Sequence, residues 1–150
     1  MFHTVVDTPG EYAPHELYDA YLRTLAEVID AVGIDHVVAE TDVDRTAVEA
    51  ITAVNTESAG STVPDIELAD AAAILALDTE MPDAGTILDE DRTQLLMDMS
   101  TAVLDVDTIA VEIDIPLDPK EIQAKLEGRH PMTLEEFAVL QQFIASRGAR

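Results

Sequence analysis

The side chains that most often carry out chemistry are present in this chain, but without the spacing that catalysis or metal binding requires. His3, His15, His36 and His130 are scattered and form no pair with ligand spacing. Cysteine is absent, which excludes disulfides, thiolate metal sites and a cysteine nucleophile. Carboxylates occur throughout the chain, so adjacent acidic residues give no specific indication of acid–base catalysis.

One acidic segment, at Asp105 and Asp107, begins as a calcium-binding loop would. The glycine inside such a loop and the glutamate that closes it are missing. The chain also lacks a phosphate-binding loop, a dinucleotide fingerprint and a nucleophile elbow. We therefore expect a non-enzyme with no catalytic residues, no metal site and no cofactor.

Negative charge dominates the composition. The 31 acidic residues against 8 Lys and Arg give a net charge of −23, yet 47% of the residues are hydrophobic, which argues against a disordered acidic chain. In molar salt the Debye length falls to about 3 Å, so surface carboxylates hardly repel one another. The composition therefore predicts a cell with high cytoplasmic salt, and the charge then reflects the solvent and not a substrate.

Neither a membrane span nor a signal peptide is indicated by the sequence. No apolar run approaches the about 20 residues that cross a bilayer, and the first residues have no basic and apolar regions in succession. We expect a cytoplasmic protein that does not enter a membrane.

The charge is distributed unevenly along the chain. Residues 1–119 carry 27 acids and three bases, whereas residues 120–150 carry four acids and five bases. On a chain this acidic, a nearly neutral end marks a candidate contact surface.

Hydrophobic periodicity and capping residues predict an all-α fold, a compact multi-helix domain. Residues 1–13 are expected to be irregular, and residues 14–54 to form a first helical unit. A polar linker at 55–64 leads to a second helical unit at 65–150, packed with the first in one globule. In the long helix predicted at 84–104, Asp91 is assigned to the solvent side.

The chain is organised around residues 106–144, which read as three short helices joined by tight corners. Asp107 is predicted to cap the first helix and Asp118 the second. Thr133 and Glu136 are predicted to form a capping box that begins the third.

The first unit contains a weaker copy of this pattern, in which Asp35 is predicted to cap the first short helix. Aligning residues 34–43 with residues 106–115, an offset of 72, gives three identities and five further pairs in which both residues are apolar. We therefore predict an internal repeat of two helix-turn-helix-like units, of which the first is degenerate.

The phrase EIQAKLEGRHPMTLEEFAVLQQFI resembles the closing part of repressors of the Cro/C1 type. It runs from a recognition helix through a Gly-containing turn and a basic pair before Pro to a Thr-capped helix. Ala110 and Ile122 lie two residues further apart than in that family, and the extra residues fall at Pro116-Leu117, which predicts a looser corner. The whole chain is similar to an uncharacterised family of small acidic proteins from halophilic archaea, which implies habitat.

The resemblance implies that DNA would be contacted through residues 118–133. The implied nucleic-acid-binding residues are Lys120, Gln123, Ala124, Arg129, His130 and Thr133. The first three lie on the helix that would enter the major groove, where Lys pairs with guanine and Gln with adenine. The last three lie where a loop and a helix N-terminus would hold phosphates.

Two functions follow from these observations. The favoured one is a non-enzymatic interaction or regulatory adaptor with a protein partner or self-association, in which the fold carries no DNA site. The alternative is a DNA-binding transcriptional regulator that uses the unit at 106–144. Asp118 and Glu121 on the reading face argue against the alternative, because they repel phosphates.

Overall fold

The computed structural model describes residues 2–53 and 66–148, which form eight α-helices and two 3-10 turns. The helices are α1 (Pro14–Val32), α2 (Ile34–Glu40), α3 (Arg45–Ala53), α4 (Leu68–Leu75), α5 (Ala84–Ala102), α6 (Val106–Glu112), α7 (Pro119–Leu126) and α8 (Leu134–Gly148), and the 3-10 turns are Phe2–Thr4 and Pro9–Glu11. Within the described ranges the only β-type pairing is an isolated antiparallel bridge between Glu67 and Thr133. The predicted all-α fold is confirmed, and the predicted polar linker at 55–64 lies outside the described residues.

Aspartate side chains cap three helices in the second half of the chain. Asp118 accepts a hydrogen bond from the Glu121 N–H at 2.8 Å, and the Glu121 carboxylate accepts one from the Asp118 N–H at 3.1 Å. This capping box begins α7 where the sequence predicts it. The cap of α6 is Asp105 and not Asp107, because α6 begins two residues earlier than the sequence suggested.

Both predicted units contribute to one hydrophobic core. The Phe2 ring meets the Tyr21 ring edge to face with centroids 5.5 Å apart, and the Tyr21 ring lies 5.8 Å from that of Phe137 in α8. All three side chains are fully buried. Each such ring buries about 150–250 Å², and each favourable pair adds about 0.5–1.5 kcal/mol. The N-terminal turn is therefore part of the core that joins α1 to α8.

Asp91 departs most clearly from the sequence-based expectation, because its side chain is fully buried and does not face solvent. Its carboxylate accepts hydrogen bonds from the Phe2 N–H at 3.3 Å and the His3 N–H at 3.1 Å, and lies 2.5 Å from Nδ1 of His3. The His3 carbonyl in turn accepts a bond from the Gln141 side chain at 3.2 Å. Burial of Tyr21 and the nearby Asp91 charge raise the pKa of Tyr21 above its usual range, so its phenol stays protonated.

The helix lengths follow the same order in both halves of the chain. Helices α1 and α5 each have 19 residues, α2 and α6 have seven each, and α3 and α7 have nine and eight. Each 19-residue helix ends at a residue with positive φ, Gly33 at 93° and Val103 at 57°. This order of lengths agrees with the predicted internal repeat.

The last three helices leave an opening between them. Helix α8 packs against α1, α5 and the second 3-10 turn, whereas α7 packs against α6 and α5. The corner between α6 and α7 consequently faces α8 across an open groove.

Candidate interaction surfaces

Helix α7 is the element that the resemblance assigns to a DNA groove. Its buried side chains are Ile122, Ala124 and Leu126. Lys120 is exposed, and Gln123 is half-buried and donates its side-chain amide to Glu127 at 2.5 Å. Ala124 is only 4% exposed, so the structure removes it from the sequence-based set of contact residues. In a helix of 3.6 residues per turn, Ala124 lies on nearly the opposite side from Ile122 and Leu126, so its burial means that α7 is covered on more than one side.

The loop after α7 exposes the side chains of Arg129 and His130. Their backbone N–H groups both donate to the Ala124 carbonyl, at 2.8 and 3.3 Å, so they close the helix end and do not face a ligand. The Arg129 guanidinium donates to the Glu127 carboxylate at 2.9 Å from Nε and 2.7 Å from Nη2. This contact is the main reason that the pKa of Glu127 is lowered from its usual value.

Arg92 of α5 is a further cation at this loop, which sequence reasoning missed. Its guanidinium packs over Gly128, where a Cβ would lie only 2.7 Å from Nη1 of Arg92. It also donates to Asp89 at 2.9 Å. With Arg129 and His130 it lines a cavity of about 240 Å³. The glycine was the only sequence signal, and a helix C-terminus accounts for it equally well.

Thr133 forms the predicted capping box at the start of α8. The Thr133 hydroxyl accepts from the Glu136 N–H at 3.0 Å, and the Glu136 carboxylate accepts from the Thr133 N–H at 2.9 Å. The Leu134 N–H donates to the Ile66 carbonyl at 2.7 Å. Three of the backbone donors that were expected to hold phosphate are therefore satisfied by the chain itself.

Most basic side chains in the described ranges are neutralised by a carboxylate. Five of the seven form ion pairs: Arg45 with Asp35, Arg92 with Asp89, Lys125 with Glu136, Arg129 with Glu127, and Arg147 with Glu112. Lys120 and Arg23 form no ion pair with any described residue. The near-neutral charge of residues 120–150 therefore reflects local pairing, and it provides little unbalanced positive charge.

A second surface lies in the open space between the start of α1, the corner that joins α6 to α7, and α8. We call it the corner groove, and its volume is about 370 Å³. Its apolar floor is formed by Tyr18, Ile113, Ile115, Val139 and Phe143, and its acidic rim by Glu112, Asp114 and Glu135. Apart from Phe143, the floor side chains are half-buried, so their apolar surface is only partly covered by the fold.

A cation of the same chain contacts two residues of the corner groove, although it does not line the groove itself. The Arg147 guanidinium lies 4.8 Å from the centre of the Phe143 ring and pairs with the Glu112 carboxylate. A guanidinium within about 6 Å of a ring centre is attracted by the π-electrons of its face. The groove can therefore hold a guanidinium between an aromatic floor and an acidic rim.

Exposed apolar side chains adjoin the corner groove along the chain. Val111, which precedes the rim residue Glu112, is 83% exposed. Tyr12 precedes by two positions the groove residue Pro14, and it is 40% exposed. Both residues are therefore exposed apolar side chains that lie close in sequence to residues of the groove.

Within residues 2–53 and 66–148, no three His, Asp or Glu side chains are arranged to hold a metal ion. Over the same residues, no helix is both long enough and apolar enough to cross a bilayer.

The chain belongs to a family of unknown function, DUF5791, whose model matches residues 17–147. The match extends from within α1 into the last turn of α8, and so covers the loop after α7 and all of the corner groove except Pro14 and His15. No curated protein and no solved structure matches the chain. The expectation of an uncharacterised family is confirmed, and a function has to be argued from the chain's own surfaces.

Proposed function

We propose that this protein is a non-enzymatic interaction or regulatory adaptor that binds a protein partner through the corner groove. The observation that carries the proposal is the apolar floor of this open groove, where every side chain except Phe143 is only half-buried. Burying such surface is the main source of affinity in protein association. Most apolar side chains of the described helices are buried in one core, whereas four of the five floor residues are only half-buried.

The proposal includes the salt concentration in which the protein works. A net charge of −23 suits the cytoplasm of a halophilic cell, where molar salt screens the surface carboxylates. Salt that weakens charge attraction also strengthens apolar association when its ions are excluded from protein surfaces. An apolar groove is therefore a suitable binding device under those conditions.

A DNA-binding role is the second candidate, favoured by one observation. Lys120 is exposed in the first turn of α7 and forms no ion pair within the described ranges, as a base-contacting residue of a helix-turn-helix unit would require. Three features weigh against this role: the burial of Ala124, the pairing of Arg129 with Glu127, and the occupied N-terminus of α8.

Site-specific photocrosslinking tests both roles in the cells that make the protein. A benzoylphenylalanine at position 142 reports on the corner groove, and one at position 123 reports on the outer face of α7. The two positions are matched, since both are half-buried glutamines on helices. We expect a discrete protein adduct from position 142 and none from position 123. Crosslinks from position 123 to DNA, with none from position 142, would overturn the adaptor proposal.

The salt dependence of DNA affinity tests the DNA-binding role separately. The slope of log affinity against log KCl concentration reports how many phosphates the protein contacts. If the chain binds DNA through α7, the double variant Lys120→Glu with Arg129→Glu is expected to reduce the size of this slope by about 0.9 for each phosphate contact that it removes. Arg45→Glu, on α3, serves as the control and leaves that dependence unchanged. Fluorescence anisotropy on genomic fragments measures all three proteins, and equal losses of affinity from the double variant and the control would exclude α7 as the DNA-binding element.

A further inference from the structure

We infer that the segment bound by the corner groove carries an arginine or lysine beside its apolar side chains. This inference rests on the proposed function, and it adds the chemistry of the partner. It follows from charge complementarity at the rim and from the way two groove residues, Phe143 and Glu112, contact the guanidinium of Arg147.

The rim offers negative charge that the described residues neutralise only in part. Of its three carboxylates, only Glu112 has an ion-pair partner, Arg147. Asp114 and Glu135 are exposed and form no ion pair with any described residue. No Lys or Arg side chain contributes to the groove lining among the described residues. A cationic side chain of the partner therefore finds two carboxylates available beside an apolar floor.

Arg147 indicates how such a side chain is accommodated. Its guanidinium rests on the Phe143 ring at 4.8 Å while it pairs with Glu112. A planar guanidinium can stack on an aromatic ring and at the same time donate hydrogen bonds, in its own plane, to a carboxylate. A single placement of the guanidinium therefore allows both interactions. Elsewhere in the groove lining, the apolar Val139 and the acidic Glu135 lie about one turn apart on α8.

The same rim disfavours other classes of ligand. A nucleic acid or an anionic lipid surface would bring phosphates against Asp114 and Glu135, and like charges in contact oppose binding. A neutral apolar segment would leave both carboxylates partly desolvated without a partner. A second copy of this chain offers few cations, since five of its seven described bases are already paired.

Nuclear magnetic resonance titration with two peptides tests the inference on the full chain in molar KCl. The probe is an acetylated, amidated tetrapeptide Leu-Arg-Ile-Leu, and its matched control carries citrulline, which has nearly the same shape but no charge, in place of arginine. We expect the arginine peptide to cause saturable shifts of the amide resonances around Val139 and Phe143. The citrulline peptide is expected to bind more weakly, by up to about five-fold for each ion pair that it cannot form.

Paired variants assign that difference to the rim. Asp114→Asn with Glu135→Gln is expected to make the two peptides bind equally. Glu40→Gln with Glu49→Gln removes the same charge from exposed positions outside the groove and is expected to preserve the difference. Loss of the difference in both double variants would mean that overall charge, and not the rim, attracts the peptide, which would overturn the inference.

The outcomes separate the inference from the proposed function. If both peptides bind in the groove with equal affinity to the parent protein, the inference fails and the adaptor role of the groove stands. If neither peptide shifts the groove residues, or if the shifts spread over the acidic surface, both fail. Gln142→Trp fills the groove and is expected to abolish both titrations, which confirms where the peptides bind.

Discussion

The contact between Asp91 and the N-terminal turn is the most constrained interaction at the scale of single residues. A fully buried carboxylate is tolerated only where donors satisfy it, and here Phe2 and His3 supply three of them at 2.5–3.3 Å. The contact also fixes Phe2 against Tyr21. It therefore couples α5 to the start of the chain.

Asp91→Asn is expected to lower the free energy of unfolding by about 1–3 kcal/mol, because the amide group places its own N–H donors against donors of the N-terminal turn. Urea unfolding in molar KCl, followed by circular dichroism, measures the change. Asp89→Asn is the matched control, since the Asp89 side chain is 75% exposed and its loss is expected to change stability by no more than about 0.5 kcal/mol. Equal midpoints for the two variants would contradict the assigned role of Asp91.

Val103 has an unfavourable backbone conformation at the end of α5, where its N–H and that of Leu104 donate to the carbonyls of the last helical turn. It has φ 57° and ψ 50°, the left-handed region in which a β-branched residue is strained, and its side chain is 89% exposed. Gly33 occupies the corresponding position at the end of α1.

Val103→Gly is therefore expected to stabilise the protein by about 0.5–1 kcal/mol, as relief of the strain exceeds the added entropy of the unfolded chain. Val111→Gly provides the control, because Val111 is similarly exposed but lies within α6, where glycine costs about 0.5 kcal/mol relative to valine. The two changes should move the thermal midpoint in opposite directions. A shift of the same sign for both would show that Val103 is not strained.

At the scale of elements, the contact between α5 and the end of α7 depends on a glycine. Gly128 has φ 80°, and a Cβ there would lie 2.7 Å from the Arg92 guanidinium. One residue therefore terminates α7 and allows Arg92 to approach the loop that carries Arg129.

Gly128→Ala is expected to destabilise the protein by about 1–2 kcal/mol, the usual cost of left-handed backbone for a residue with a side chain. Gly85→Ala, in the first turn of α5 with only the Asp83 carboxylate near its added Cβ at 3.6 Å, is expected to be neutral or stabilising by up to about 1 kcal/mol. Chemical denaturation of both variants gives the comparison. A Gly128→Ala protein as stable as the parent would mean that the end of α7 adapts freely.

The first turn of α4 carries an electrostatic cost. Partial burial is the main cause that raises the pKa of Asp70, followed by repulsion from Glu67 and Asp42. The folded state therefore binds this proton more tightly than the unfolded state. Stability is reduced while Asp70 is ionised, is recovered as the pH falls through the raised pKa, and is fully recovered below the ordinary value of 3.8.

Asp70→Asn is accordingly expected to stabilise the protein at pH 7 by less than about 1 kcal/mol, because much of the side chain is still solvated. The gain should disappear below pH 3.8, where the parent side chain is also neutral. Molar KCl is the appropriate condition, since it screens the helix dipole that favours an acid in a first turn. Asp107→Asn, at an exposed first-turn position of α6, should give no gain, and an equal gain from it would implicate general charge reduction.

At the scale of the whole molecule, the negative charge governs stability. The chain has a net charge of −23, and its few described bases are mostly used in local ion pairs. Without salt, the unpaired carboxylates repel one another over the entire surface, because the Debye length grows to about 30 Å at 0.01 M.

Helix content and the melting temperature are therefore expected to fall as KCl is reduced from molar to millimolar concentration. Circular dichroism across a KCl series measures both quantities. A parallel series in sucrose separates screening from the exclusion of solutes from the protein surface, since sucrose does not screen charge. Full helix content and an unchanged melting temperature in dilute buffer would contradict the role of screening.

The sequence alone determined the helical architecture, because its signals are local. Apolar spacing and the caps at Asp118 and Thr133 act within one or two turns, so they can be read from neighbouring residues. The same locality explains the errors at Asp35 and Asp107, which are good capping residues that fall inside the first turn of the helices they were expected to precede. Where two possible capping residues lie close together in the sequence, the packing of the whole helix decides which of them becomes the N-cap.

The tertiary structure alone decided which surfaces are available to a partner. Asp91 is buried because the N-terminal turn reaches it from 88 residues away, and Arg92 reaches Gly128 only because α5 and α7 pack together. Likewise, the side chains of the corner groove come from α1, α8 and the corner after α6, segments that have no shared pattern in the sequence. Helix formation depends on residues three or four positions apart, whereas a groove depends on how separate helices pack, and packing is a property of the folded chain.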